Sequence, residues 1–193
     1  MTTMAVRSDM KHAVVPAPLQ LFVSAPPTPA APTTHLPNEI SLARQILHNL
    51  QYQHYWSDLR LHTHSPTTGG PLPRALVSGL PPHRLYVHPD EQVELLKRAD
   101  RERKARAAGE AGGLEVKAEP EREWILPTRL KEQWTLRSLA GVFDAITVVP
   151  PAEMDRPANP WRTTKRVVLA TVDSDSTVVY YIVHDGVVKP RQN

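Results

Sequence analysis

Apolar residues recur at intervals of three and four from Ile40, namely Ile40, Ala43, Leu47 and Leu50. That spacing predicts an amphipathic helix that takes Asn38 as its N-cap after Pro37 and reaches about Tyr55. The period then changes to two. Leu59 and Leu61 alternate with Arg60, His62 and His64, the pattern of a half-buried strand. Ser65–Pro73, with Gly69-Gly70, reads as a loop. Ala75–Ser78 and Arg84–Val87 predict a strand pair around a bend at Gly79–Pro82. Pro89 and Asp90 open a second helix with Val93, Leu96 and Ala99 as its apolar positions, because proline at a helix start forfeits no hydrogen bond. Glu123–Leu126 predicts a short strand. Thr135 is placed to cap a third helix with Leu136, Leu139, Ala140, Phe143 and Ile146 on one face.

The C-terminal pattern is the clearest. Val167–Val172 is apolar on both faces, as a central strand is. Asp173–Ser176 supplies turn residues, and Thr177–Val183 returns as a second strand rich in β-branched residues. Val178, Tyr180 and Ile182 point one way and Val179, Tyr181 and Val183 the other. Asp185-Gly186 is a further turn pair, after which Val187-Val188-Lys189 predicts a last short strand.

Composition divides this pattern into domains. Proline makes up 20 of 193 residues, about twice the usual ~5%. Residues 1–37 hold seven prolines and only Arg7, Asp9 and Lys11 as charges, so they are expected to form a disordered Pro-rich tail. Pro16, Pro18 and Pro26 argue against a secretory signal in its apolar part. A folded domain is expected over 38–193, with a flexible charged insertion at 105–120. The absence of cysteine excludes disulfides, zinc ribbons and thiol catalysis. The net charge of +3 is low for a nucleic-acid domain that relies on bulk charge. No apolar run approaches the ~18 residues of a membrane span.

Several residues invite a chemical reading. His62 and His64 share a strand face with His54 nearby, but no cysteine or placed carboxylate completes a metal set, so they read as solvent-facing residues. Tyr86, Arg84 and His88 share one face of the expected strand and are suitable groups for acid/base cleavage of RNA, although His88 before Pro-Asp is also an ordinary strand-to-helix residue. Asp173 and Asp175 are explained by the turn they form. Lys97–Arg106 carries six basic and two acidic residues. Arg101, Arg103 and Lys104 are therefore the candidate RNA contacts, weighed against a solvated helix face with internal i,i+4 pairs. There is no phosphate loop, nucleophile elbow or His-Glu-x-x-His helix, and no cofactor is expected.

The string RVVLATVDSDSTVVYYIVHDGVVKPRQN (Arg166–Asn193) resembles the final hairpin of the tRNA-splicing endonuclease fold, and most of all its small non-catalytic subunit of the fungal type. The likeness continues upstream through LARQILHNLQYQHYWSDLRLH (Leu42–His62), SGLPPHRLYVHPDEQVELL (Ser78–Leu96) and WILPTRLKEQWTLRSLAGVFDAI (Trp124–Ile146). It implies an α/β (α+β) fold, a mixed β-sheet with flanking helices like the catalytic domain of tRNA-intron endonucleases but without the triad. It also implies a heterotetramer that excises introns from precursor tRNA, with catalytic and structural subunits as partners and residence in the nucleus or, through the complex, at the mitochondrial outer surface. Catalytic relatives use Tyr, His and Lys for metal-free transesterification, with the Lys just before the strand equivalent to Val167–Val172. Lys165 and Arg166 lie there, but Thr147–Thr164 contains neither His nor Tyr, so no catalytic residue carries over. The resemblance implies pairing through the C-terminal sheet, and Val179, Tyr181, Val183, Val187 and Val188 are the expected partner interface, with self-association of the isolated chain as another use of the same edge. The alternatives are a stand-alone metal-independent RNA endonuclease using Tyr86, His88 and Lys165, and a non-RNA adaptor with a Pro-rich docking tail.

Overall fold

The computed structural model describes Ala17 and residues 35–105, 118–152 and 159–186. The chain divides into units at Met1–Pro32 and Thr33–Asn193, and every described element lies in the second. The order is α1 (Pro37–Tyr52), β1 (Ser57–His64), β2 (Pro71–Leu80), α2 (Pro89–Ala105), β3 (Glu123–Arg129), α3 (Leu136–Ala145), β4 (Arg166–Val172) and β5 (Val178–His184). The five strands form one mixed sheet in sequence order, β1-β2-β3-β4-β5. All pairs are antiparallel except β3–β4, which is parallel and is bridged by the crossover through α3. This is the α+β fold with flanking helices that the sequence predicts.

Each face of the sheet has its own core. On one face Leu42, Ala43, Ile46 and Leu50 of α1 pack with Trp56, Val77, Ile125, Val168, Ala170 and Val172. On the other, Val142 and Phe143 of α3 and Ile146 just beyond it pack with Leu76, Trp124, Leu126 and Val167. Odd and even positions of β4 serve the two cores, which is why that segment is apolar on both faces. Pro127 sits inside β3 at no cost to the ladder with β2, because that pairing spans only Glu123–Ile125.

Four local expectations are corrected. The first helix has Leu36, not Asn38, at its N-cap with no side-chain bond, and Pro37 takes its first turn; it ends at Tyr52. Gly79 is not a bend. It pairs with Glu123 inside a single ten-residue β2, where a Cβ would lie 2.5 Å from Leu59 Cδ2 and 3.1 Å from Trp56 Cε3. Arg84–Val87 is not a strand, since ion pairs from Arg84 to Glu91 and Glu121 hold it in a loop. Leu136 starts α3 but is 88% exposed, while Leu139, Phe143 and Ile146 of the expected face meet the core and Val142 joins them.

Two turns follow the predicted chemistry. Thr135 Oγ1 accepts the Ser138 N–H at 3.1 Å and Ser138 Oγ accepts the Thr135 N–H at 3.0 Å, a reciprocal cap for α3. In the β4–β5 turn, Asp173 and Asp175 carboxylates accept the backbone N–H groups of Ser174 and Thr177 at 2.6 and 2.8 Å. Those bonds hold the Asp175 carboxyl below its ordinary range. The predicted strand at Val187–Lys189, the greater part of the tail and residues 106–117 of the insertion lie outside the described residues.

Candidate functional site

The sheet has two outer strands among the described residues, and they are built differently. β1 is interrupted twice, between Ser57 and Arg60 and between His62 and His64, and Asp58 has a positive φ of 48°. Bulges of this kind blunt an edge against pairing. β5 has no such interruption, because its seven residues keep unbroken register with β4 from Val172↔Val178 to Arg166↔His184.

β5 is also asymmetric across its two faces. Val178 and Tyr180 pack on the α1 core, and Tyr180 Oη donates to Asn49 Oδ1 at 2.5 Å. Burial pushes the Tyr180 hydroxyl pKa well up, so it stays a neutral donor. On the opposite face α3 packs over β2, and no described strand pairs with the far edge of β5. Val179 is 43% and Tyr181 56% exposed there, while Ile182, on the α1 face with Val178 and Tyr180, is 37% exposed. Val183 is half-buried against the α3 core. Of the expected interface residues, Val179 and Tyr181 therefore present free apolar surface, while Val187 and Val188 lie outside the described residues.

The residues proposed for RNA cleavage are each engaged in a different place. Tyr86 lies edge-on to His184 at 4.7 Å, with the Arg166 guanidinium 5.4 Å above its ring. His88 stacks on Trp161 at 5.9 Å, and its Nδ1 accepts the Asp90 N–H at the start of α2. Lys165 Nζ donates to the Phe143 carbonyl at 2.7 Å, near the C-terminal end of α3. No hydrogen bond or ring contact joins Tyr86, His88 and Lys165 to one another. The alternation argument for Tyr86 and His88 falls with the missing strand.

The cationic last turns of helix α2 carry ion pairs within the helix. Over Pro89–Ala105 it holds five acidic and five basic residues. Arg103 and Lys104 both pair with Asp100, at 2.9 and 2.7 Å, and Arg98 pairs with Glu102 at 3.2 Å. Arg101 donates to the Lys97 carbonyl at 3.3 Å. From Glu94 to Ala105 five basic residues face three acidic ones, so these exposed pairs leave a net positive charge on the last turns. The nearby histidines are likewise committed. His62 shares a hydrogen bond with Ser78 Oγ at 2.8 Å and lies edge-on to Trp124, and burial, with Arg60 adding to it, lowers its pKa to about 4.

A buried ionic knot at the entry to β3 and β4 went unseen in the sequence. Glu123 is fully buried and accepts from both Arg162 and Arg166, while Glu121 accepts from the same two arginines and from Arg84. Asn159 Nδ2 donates to Glu121 at 2.6 Å. The knot fixes the loop before β4 to β3 and to the start of α2. Its only sequence signal is a run of charges immediately ahead of two apolar strands.

The family model for the Sen15 protein matches residues 45–193. A probable tRNA-splicing endonuclease subunit, tsp-1 of Neurospora crassa, is 44% identical over 162 residues, 79% of this chain and 66% of that protein. A probable tRNA-splicing endonuclease subunit, sen15 of Schizosaccharomyces pombe, is 32% identical over 71 residues, 37% of this chain and 50% of that protein. The chain thus spans about two thirds of the first relative's length and half of the second's.

Proposed function

The chain belongs to the Sen15 protein family, and from that premise we propose that it is a structural, non-catalytic subunit of a tRNA-splicing endonuclease. It joins a catalytic subunit through β5 and meets precursor tRNA as part of the assembly. The observation that carries this reading is the asymmetry of the two sheet edges. β1 is bulged, whereas β5 is regular, β-branched and open, with Val179 and Tyr181 exposed beside it. The non-catalytic part rests on the separate engagements of Tyr86, His88 and Lys165 and on the lack of His and Tyr in Thr147–Thr164. The chain would share the compartment of its complex, the nucleus or the mitochondrial outer surface, which imaging of a tagged chain checks.

The test is co-expression with candidate endonuclease subunits. The wild-type chain is expected to co-purify in stoichiometric amount, and the double variant Val179→Asp, Tyr181→Asp to stay folded by circular dichroism but drop out. Charge placed in a contact that must be desolvated is strongly unfavourable. Retained assembly would place the interface elsewhere. The isolated chain is expected not to cleave precursor tRNA, and metal-independent cleavage lost in Tyr86→Phe would favour the endonuclease reading instead.

A further inference from the structure

Helix α1 ends in rings that neither core uses. Tyr52 is 53% and Tyr55 78% exposed, and neither packs in either apolar cluster. The His48 and Tyr52 rings lie 4.5 Å apart, and His54 sits edge-on to Tyr180 of β5 at 5.1 Å. Tyr55 has a φ of +56°, in the turn that the Trp56 N–H closes on the Leu50 carbonyl at 3.0 Å. Glycine takes this left-handed conformation freely, whereas a side chain brings its Cβ against the backbone. Tyr55 lies two residues beyond the Gln53 C-cap of α1, in a turn position that glycine occupies most readily. The sequence thus holds a large exposed ring where a glycine would fold better. Folding gains nothing from that choice, but a contact with another molecule does.

The surroundings indicate the kind of molecule. None of Gln45–Ser57 carries a formal charge, in a chain that is 22% charged. The exposed residues there are Gln45, the run Gln51–Tyr55 and Ser57. Depletion of charge with enrichment of tyrosine marks the centre of protein–protein interfaces. A nucleic-acid backbone would call for cations, and a charged peptide for charges of opposite sign. The patch is also continuous with β5, through the His54–Tyr180 contact and the Tyr180–Asn49 hydrogen bond.

We propose that Tyr52 and Tyr55 are an aromatic anchor for an uncharged surface of the protein subunit that pairs on β5. This rests on the reading of the chain as an endonuclease subunit and extends its partner site from the sheet edge onto the end of α1.

The test uses the full chain, measured alone for Tm and against the co-purifying endonuclease subunit for Kd. Tyr55→Gly is expected to raise Tm by about 2 °C or more, because the strained conformation suits glycine. The same variant is expected to weaken assembly by about tenfold, as loss of an interface tyrosine does. A residue with only a structural role would move both quantities the same way. Tyr52→Ala is expected to weaken assembly with Tm unchanged. If both variants bind normally while Val179→Asp with Tyr181→Asp abolishes binding, the anchor is wrong and the subunit reading stands. If the wild-type chain assembles with no endonuclease subunit, both fall. Weaker binding of precursor tRNA by a normally assembled complex would make the patch an RNA surface. Loss of a homodimer alone would make it a contact between copies. Either result overturns the proposal.

Discussion

Two residues show how burial sets chemistry at the scale of a single side chain. His62 would bind a proton near its ordinary pKa of 6.5 when unfolded but only near 4 in the fold, chiefly because of burial. The unfolded chain therefore holds more protons between these values. Stability from this group is complete above about pH 6.5 and is lost as pH falls towards 4. Allowing for its partial exposure, the loss is about 1–2 kcal/mol. Urea unfolding at pH 7 and pH 4.5 is expected to show it, and His62→Gln to flatten the slope while keeping a bond to Ser78. His184, lowered by burial and by Arg166 and Arg162, would supply the remaining slope. Glu123 is the opposite case, a charge kept because it is paired. Glu123→Ala strands Arg162 and Arg166 in the interior and is expected to cost about 3–5 kcal/mol. A fall in the urea midpoint too small for this would mean that Glu121 alone holds the knot.

At the scale of elements, local pattern and neighbour contact decide different things. The α3 cap and the β4–β5 turn were readable because their bonds run between residues close in sequence. The length of β2 was not. Gly79 looks like a bend residue, yet it continues the strand because Leu59 and Trp56 need the space over its Cα. Gly79→Ala is expected to destabilise by about 1–3 kcal/mol through overpacking. Adding Leu59→Ala should recover part of that loss, since the new methyl occupies vacated space. Additive losses in thermal unfolding would show that the two side chains do not compete. Helix α2 gives the same lesson for charge. Its basic last turns stand out in sequence, but that Arg103 and Lys104 share the one Asp100 carboxylate appears only in the folded helix.

At the scale of the whole molecule, the folded body takes in residues just before α1. His35 is buried, donates through Nε2 to the Thr63 carbonyl at 3.0 Å and lies 3.4 Å from Glu39. A chain beginning at Thr33 is expected to melt with the full chain. One beginning at Asn38 is expected to lose about 1 kcal/mol or more with that buried bond. Equal melting of all three would show that His35 contributes nothing to stability. From there to β5, two cores cover the two faces of one sheet, and among the described residues β5 is its regular outer strand.

The sequence by itself determined the three helices, most of the strands and the central place of β4, because periodicity and a run apolar on both faces are local properties. It also carried the family, through strings spread along most of the chain. Only the tertiary structure decided which of Val179, Tyr181 and Val183 are free, that Arg84–Val87 is a loop, and that the charges ahead of β3 and β4 form one knot. The knot joins Glu121 and Glu123 to Arg162 and Arg166, some forty positions apart, and covering Val183 needs α3 laid across the sheet. Such contacts have no period, and they exist only once the chain has closed on itself.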